Sequence, residues 1–359
     1  MIEASSSTLR DIIAAIRPCE PQHIIEAARR LDLLTKPVGS LGRLEAIATQ
    51  MFSIFAGEIP QPLRRAVHIF AADHGVTAEG VSAYPAAVTA QMVRNFLKGG
   101  AAINVLARLH HAALIVVDVG VDAEFDDAPL LRRMKVRRSS RNMLHQPAMS
   151  AEELSRAIEA GIKMAQTSKE RGESLVAVGE MGIGNTTAAS AITSILTHQP
   201  VSAVTGSGTG LDSEGRNRKV DVIRRSLELH FGEETSPDPI ELLRCVGGLE
   251  IAAMTGFILG AAANRIAIVC DGFISTAAAA VAHAVAPQVS DYLFAGHCSE
   301  EPGHRFLLHA LDLTPLLSLG MRLGEGTGAV LAMPLIESSV RLLNEMATFT
   351  SAGVSAART

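Results

Sequence analysis

One stretch sets a carboxylate inside a turn otherwise built for close approach: Met321-Arg322-Leu323-Gly324-Glu325-Gly326-Thr327-Gly328-Ala329. Glycines at alternate positions remove Cβ atoms and permit positive φ, so a ligand can lie against the backbone amides as phosphate and ribose groups do in glycine-rich turns. Glu325 does not fit a pure anion cradle, because a carboxylate facing a phosphate repels it. A glutamate here fits a proton acceptor, a partner for ribose hydroxyls, or a group that stabilises positive charge. The plainer alternative is a helix start, with Glu325 in an acid-favouring first turn and Ala329-Val330-Leu331-Ala332-Met333 as the buried helix behind it.

Two further loops share the composition: Gly179-Glu180-Met181-Gly182-Ile183-Gly184-Asn185-Thr186-Thr187 and Thr205-Gly206-Ser207-Gly208-Thr209-Gly210-Leu211-Asp212. Each is placed to follow a strand and open a helix, and three such loops favour a phosphorylated sugar or nucleotide over simple turns. None is a GxxxxGK[ST] loop, and no GxGxxG is followed by a ribose-binding acid, so dinucleotide binding is disfavoured. On a helix beginning near Asp212, Lys219 shares a face with that residue two turns on. Its ammonium can then reach a phosphate held by the Gly206–Gly210 amides; a solvated helix lysine is the ordinary alternative. Asp73-His74-Gly75 and Gly296-His297-Cys298-Ser299-Glu300-Glu301-Pro302-Gly303-His304 invite a metal reading, but their spacings match no zinc site, and hydrogen-bonded histidines at strand ends are expected instead. No metal or cofactor is expected. There is no GxSxG elbow to support a hydrolase triad.

The elements that must position these loops alternate along the chain. Short apolar runs ending in polar loops read as buried strands at Ala66–Ala72, Ala113–Gly120, Leu175–Glu180 and Ile266–Gly272, with weaker candidates at Ser202–Thr205 and Asp291–Ala295. Helical segments separate them at Ala86–Leu97, Ala101–Leu109, Ala151–Glu170, Thr186–Thr197, Lys219–His230 and Ser275–Val285. Strand-helix alternation predicts an α/β fold with a doubly wound, mainly parallel sheet, whose ligands collect beyond the carboxyl ends of the strands. Residues 1–60 read as amphipathic helices interrupted by the Lys36–Glu45 turn, whose Lys36 and Arg43 could meet an anionic ligand or a neighbouring subunit. A last helix, about Leu335 to Met346, can return to pack on them. The expected division is a small helical domain from 1–60 plus 335–359 and a large catalytic domain from 61–334, with no disordered linker before about Thr350 to Thr359.

Composition sets limits. Hydrophobic residues make up 48% of the 359, but aromatics only 4% with no Trp, which suits closely packed small aliphatics between helices and a parallel sheet. A net charge of -5 without a basic stripe interleaved with aromatics makes nucleic acid an unexpected partner. The densest basic stretch, Arg132 to Arg138, could bind an anion but reads first as a solvated face. Four dispersed cysteines with no CxxC, and no signal peptide at Met1-Ile2-Glu3-Ala4, imply reduced thiols and a cytoplasmic location. The most apolar long stretch, Ile251 to Ala263, falls short of the roughly 20 residues needed to span a bilayer and reads as a buried helix.

Taken in order, Asp73-His74-Gly75-Val76, Glu79-Gly80-Val81-Ser82-Ala83-Tyr84-Pro85 with Gln91, and the three glycine-rich loops closely resemble the nicotinate-nucleotide:dimethylbenzimidazole phosphoribosyltransferase family. The match runs from the Lys36–Glu45 turn to the C-terminal helix. The resemblance implies transfer of the 5-phosphoribosyl group of nicotinate mononucleotide to 5,6-dimethylbenzimidazole, giving α-ribazole 5′-phosphate and nicotinate, in assembly of the cobalamin lower ligand. It also implies a homodimer with a Rossmann-like large domain and a small helical domain from both termini. By motif position Glu325 corresponds to the general base and Glu180 to a second active-site carboxylate. Gly182, Gly184, Asn185, Thr186, Gly206, Ser207, Gly208, Thr209, Lys219, Gly324 and Gly326 correspond to the phosphoribosyl site, and Ser82, Tyr84, Gln91, Met181 and Leu323 to the base pocket. A pyridinium leaves as a neutral ring, so little acid catalysis is needed, and no pyrophosphate demands Mg²⁺. A non-catalytic nucleotide-binding module, or the same transfer to another azole or purine, are the alternatives.

Overall fold

The computed structural model describes residues 2–355, with side chains from Thr8 onward; Met1 and the end of the C-terminal tail, 356–359, lie outside the described residues. Seven strands form one sheet in the order β3-β2-β1-β4-β5-β6-β7, every neighbouring pair parallel. They are β1 (Arg65–Ala72), β2 (Ala113–Gly120), β3 (Leu131–Arg133), β4 (Leu175–Met181), β5 (Ala267–Cys270), β6 (Leu293–His297) and β7 (Pro315–Leu317). Helices cover both faces, so the central strands are mostly apolar; every residue of β1 after Arg65 is buried, His68 included. The chain lays β2 and β3 outward on one side of β1, then returns to place β4 on the other, with Val67 facing Leu114 and Ala177. That reversal opens a crevice at the carboxyl ends of β1 and β4.

Helices α1 (Ile2–Ala15), α2 (Pro21–Asp32) and α3 (Arg43–Ile54) precede the sheet. Helices α4 (Ala87–Lys98) and α5 (Ala102–Leu109) join β1 to β2, and α6 (Ala151–Glu170) joins β3 to β4. Between β4 and β5 lie α7 (Asn185–Leu196), α8 (Val201–Val204), α9 (Ser213–Phe231), α10 (Pro239–Val246) and α11 (Leu249–Ala263). Helix α12 (Phe273–Val285) leads to β6, α13 (Pro302–Ala310) to β7, and α14 (Thr327–Glu345) and α15 (Phe349–Ala352) follow.

Helix α11 is buried on all sides from Leu249 to Ala262, as its unbroken apolar sequence requires. It lies so close to α6 that a Cβ on Gly161 or Gly256 would overlap the other helix's backbone. Helix α14 runs without interruption past Pro334, so the helix behind Glu325 and the C-terminal helix are one element. Around its far end Leu343 joins Ala27, Leu31, Leu34, Ala48 and Phe52 of the α2–α3 region in a second small core, and Leu34 bridges Thr348. Helix α1 packs on α6 and α11.

The expected strand Ser202–Thr205 is for the most part helical. Val201–Val204 forms a single turn because the Arg216 guanidinium binds the Ser202 and Thr205 carbonyls, which are then lost to any ladder. The Lys36–Glu45 turn is closed within the chain: Lys36 pairs with Glu45 at 2.9 Å, and Arg43 donates to the Thr314 and Pro315 carbonyls. The basic stretch is likewise partnered, Lys135 with Asp118, Arg137 with Glu153 and Arg138 with Glu124. All four cysteines are free thiols. Among the described residues no helix is long and apolar enough to cross a membrane, and no group of three or more His, Cys, Asp or Glu could hold a metal ion.

Candidate active site

The loops beyond β4, β5 and β6 enclose a cavity of about 420 Å³, large enough for a nucleotide-sized ligand. The end of β4 supplies Glu180 and Met181, followed by Gly182, Ile183, Asn185 and Thr186 at the start of α7. Asp271 to Ser275 enter from β5 and the start of α12; His297, Ser299 and Glu301 follow β6. Gly208, Thr209, Tyr84 and the strip Arg322-Leu323-Gly324 complete the wall. The first turns of α7 and α12 therefore both face the cavity, where the positive end of each helix dipole favours an anion.

Glu180 is only 8% exposed and accepts a hydrogen bond from Asn185 Nδ2 on Oε2. Its other oxygen lies against Gly324, where a Cβ would overlap it, and Gly324 has φ +82. Glycine is required there twice over, by contact and by backbone. Burial pushes the Glu180 carboxyl up to about 8; Asn185 opposes this, and the charges of Glu250, Asp271 and Glu325 add to it.

Glu325 follows in the same turn with φ +65, between Gly324 at +82 and Gly326 at +86. It is 5% exposed, and its Oε2 has no hydrogen-bond partner. Burial raises its pKa to about 7, against the stabilising Ile103 backbone N–H at the start of α5 and with the Asp271 charge adding to the rise. The side chain is held within the wall beside Gly324, while Leu323 and Gly324 themselves face the cavity.

Lys219 on α9 is fully buried and donates from Nζ to Thr186 Oγ1 at 2.7 Å. A Cβ on Gly208, φ +53, would stand 3.2 Å from that Nζ, so the ammonium lies directly beneath the backbone lining the cavity. Asp212 caps α9 through the Gly215 N–H at 2.8 Å, which fixes Lys219 two turns further on. Burial lowers the Lys219 pKa to about 8, with Glu301 working in the other direction. Arg322 Nη1 donates to Gly208 O at 3.2 Å and ties this loop to the Glu325 turn.

A family model described as phosphoribosyltransferase matches residues 16–354. The chain belongs to this phosphoribosyltransferase family. It is 52% identical over 346 residues to the nicotinate-nucleotide–dimethylbenzimidazole phosphoribosyltransferase of Geobacter sulfurreducens, covering 96% of this chain and 98% of that protein. The enzyme of that name from Chloroflexus aggregans is 51% identical over 349 residues, 97% of this chain and 98% of its own length. The crystal structure of the enzyme of that name from Thermus thermophilus superposes with a TM-score of 0.89 at 47% identity, over 94% of this chain and all of that one, 100%.

Within this phosphoribosyltransferase, Glu180, Met181, Gly182, Asn185, Thr186, Gly208, Thr209, Tyr84, Leu323 and Gly324 share one wall, as the three loops converge. Others named from the sequence stand behind it. Gly184 and Gly326 precede the first residues of α7 and α14, Gly206 packs on Glu301, and Lys219 reaches the wall from below. Ser82 contacts Thr209, Oγ to Oγ1 at 3.1 Å, joining the Tyr84 loop to the Gly206–Gly210 loop. Ser207 and Gln91 are exposed and outside the cavity wall; on α4 it is the buried Thr89 that accepts the Ile183 N–H, at 3.1 Å.

Sequence reasoning left Asp271, Ser275, His297, Ser299 and Glu301 without a role in the site. The signal was their position after β5 and β6, but which strand ends meet is decided by strand order. It also left unpaired His74 and Glu250, which form a buried contact of 2.6 Å beneath Gly182. Burial opposes charge on His74, yet Glu250 holds its pKa above the ordinary value.

Proposed function

We propose that this phosphoribosyltransferase moves the 5-phosphoribosyl group from nicotinate mononucleotide to 5,6-dimethylbenzimidazole, releasing nicotinate and forming α-ribazole 5′-phosphate for the cobalamin lower ligand. The observation that carries the residue roles is polarity within one cavity. A buried lysine lies beneath its backbone and two helix N-termini border it, while Glu180 and Asp271 line it near Gly324, with Glu325 buried in the wall behind, an arrangement suited to a ligand anionic at its phosphate and cationic at its pyridinium.

The phosphate lies along Gly208 and Thr209, above Lys219 and Thr186. The two heterocycles occupy the side bordered by Tyr84, Met181 and Leu323. As the C1′–N bond of the pyridinium breaks, its electrons return to the ring nitrogen and nicotinate leaves neutral at that atom. Positive charge developing at C1′ faces Glu180, which surrenders its proton more readily once a cation stands beside it. The azole nitrogen attacks from the opposite face, inverting the sugar carbon from β to α. The N–H on the azole's other nitrogen gives its proton to the unpartnered Glu325 Oε2.

We place the enzyme in the cytoplasm as a homodimer, its small helical domain taken from 1–60 and 335–359 and its catalytic domain from 61–334. The separate core around Phe52 and Leu343 supports the division. The exposed apolar side chains Ile24, Ile25, Leu33 and Val38 near α2 support a covering subunit, and light scattering of the eluting peak checks the mass. For activity, purified protein is incubated with nicotinate mononucleotide and 5,6-dimethylbenzimidazole, and the products are resolved by chromatography. Equimolar nicotinate and α-ribazole phosphate are expected; binding without release of nicotinate would make the chain a nucleotide-binding module instead.

A further inference from the structure

Glu325 occupies a backbone conformation that glutamate rarely adopts. Three consecutive residues, Gly324, Glu325 and Gly326, have φ of +82, +65 and +86. Left-handed backbone crowds the Cβ of a side-chain-bearing residue, and such a conformation persists only where surrounding structure holds it. Within the turn, Thr327 Oγ1 donates to Gly324 O at 2.8 Å. From below, β4 presses against it, since a Cβ on Gly179 would lie 2.6 Å from the Gly326 nitrogen.

The third restraint comes from another strand. Asp271, at the end of β5, is 2% exposed and puts both carboxylate oxygens on the first turn of α14. Oδ2 accepts the Gly326 N–H at 3.0 Å and Oδ1 the Ala329 N–H at 2.9 Å, with the Gly328 N–H also directed at the group. The α14 N-terminus is therefore occupied by a protein carboxylate and is closed to substrate phosphate, unlike those of α7 and α12. On its other side Asp271 borders the cavity, and His297 Nε2 stands 3.9 Å from Oδ1. His297 is itself wedged against the same turn, because a Cβ on Gly328 would overlap its ring.

We infer that Asp271 is a positioning residue for Glu325: by clamping the Gly326 and Ala329 amides it holds the left-handed turn that aims the base at the acceptor. This rests on the transfer reaction proposed above, and the wild-type conversion assay tests that reaction before any variant is compared. The clamp acts through geometry, so a longer carboxylate fails as a neutral amide does. Asp271→Glu keeps the charge but adds a methylene that displaces both oxygens. Asp271→Asn keeps the size but turns an amino group toward one of the N–H donors.

The test is a double-mutant cycle with Glu325→Gln. In the wild-type background each Asp271 variant lowers kcat by about tenfold to a hundredfold, the scale of a misplaced reacting group. In the Glu325→Gln background each changes kcat by no more than about twofold, since nothing remains to be aimed. Equal losses in both backgrounds, or full kcat in Asp271→Glu, overturn the inference. So does a rise in KM for nicotinate mononucleotide without a fall in kcat, which marks a substrate contact. Hydrogen exchange of the wild-type enzyme keeps the inference open to refutation if the variants do not fold: the Gly326 and Ala329 amides exchange as slowly as those of β4, and rapid exchange at either overturns it.

Discussion

Glu325→Gln keeps the size of the side chain and removes the proton acceptor. Burial raises this carboxyl from 4.5 to about 7, which brings its titration into the neutral range where a base is useful. Losing a positioned general base costs typically about 10²- to 10⁴-fold, and kcat should fall by that amount. KM for nicotinate mononucleotide should hardly change, because the substitution leaves Lys219 and the Gly208 loop untouched. The pH dependence carries the sharper signature. A base acts only when deprotonated, so wild-type kcat/KM climbs as pH rises through about 7 and levels above it, while the variant loses that climb. Chromatographic rates of nicotinate release, taken from about pH 5.5 to about pH 9, give both quantities. Turnover within about threefold of wild type, or an unchanged acidic limb, refutes the assignment.

Glu180→Gln should change stability with pH in a defined direction. The folded protein prefers Glu180 protonated, so its penalty begins above the ordinary 4.5 and is complete above about 8. The shift corresponds to at most roughly 5 kcal/mol, reduced as neighbouring carboxylates readjust. Denaturant melts should therefore nearly coincide at about pH 4 and favour the variant by at least about 1 kcal/mol more near about pH 9, whereas identical pH dependence contradicts the burial argument. Lys219→Met removes a charge-assisted contact of about 1.5–3 kcal/mol and should raise KM for nicotinate mononucleotide about tenfold to a hundredfold, leaving benzimidazole affinity unchanged by equilibrium dialysis. Loss of benzimidazole binding instead would place Lys219 elsewhere. Gly324→Ala forces a Cβ onto Glu180 Oε1 at a left-handed position and should abolish most activity while the protein still melts cooperatively; wild-type rates would deny the close approach.

Much of this was legible in the chain. The runs forming β1, β2, β4 and β5 announce themselves because strands buried on both faces must be largely apolar, and the α11 stretch did so for the same reason. The edge strands β3 and β7 are three residues each and carry Arg132, Arg133 and Pro315, so no periodicity marks them. Ser202–Thr205 misled because Val204 and Thr205 favour strands, while the deciding contact comes from Arg216 on a later helix. The glycine loops and Glu325 stand out because small residues and a lone acid conflict with ordinary turn composition. Asp271, Glu301 and His297 do not, since only the order of β4, β5 and β6 brings their loops to one cavity.

The most direct test is a crystal structure with 5,6-dimethylbenzimidazole and nicotinate mononucleotide bound. A Glu325 oxygen is expected within about 3 Å of an azole nitrogen, with the phosphate on Gly208 above Lys219. A benzimidazole seated away from Gly324, with Glu325 still turned to the Ile103 amide, would contradict the proton transfer on which the proposed chemistry depends.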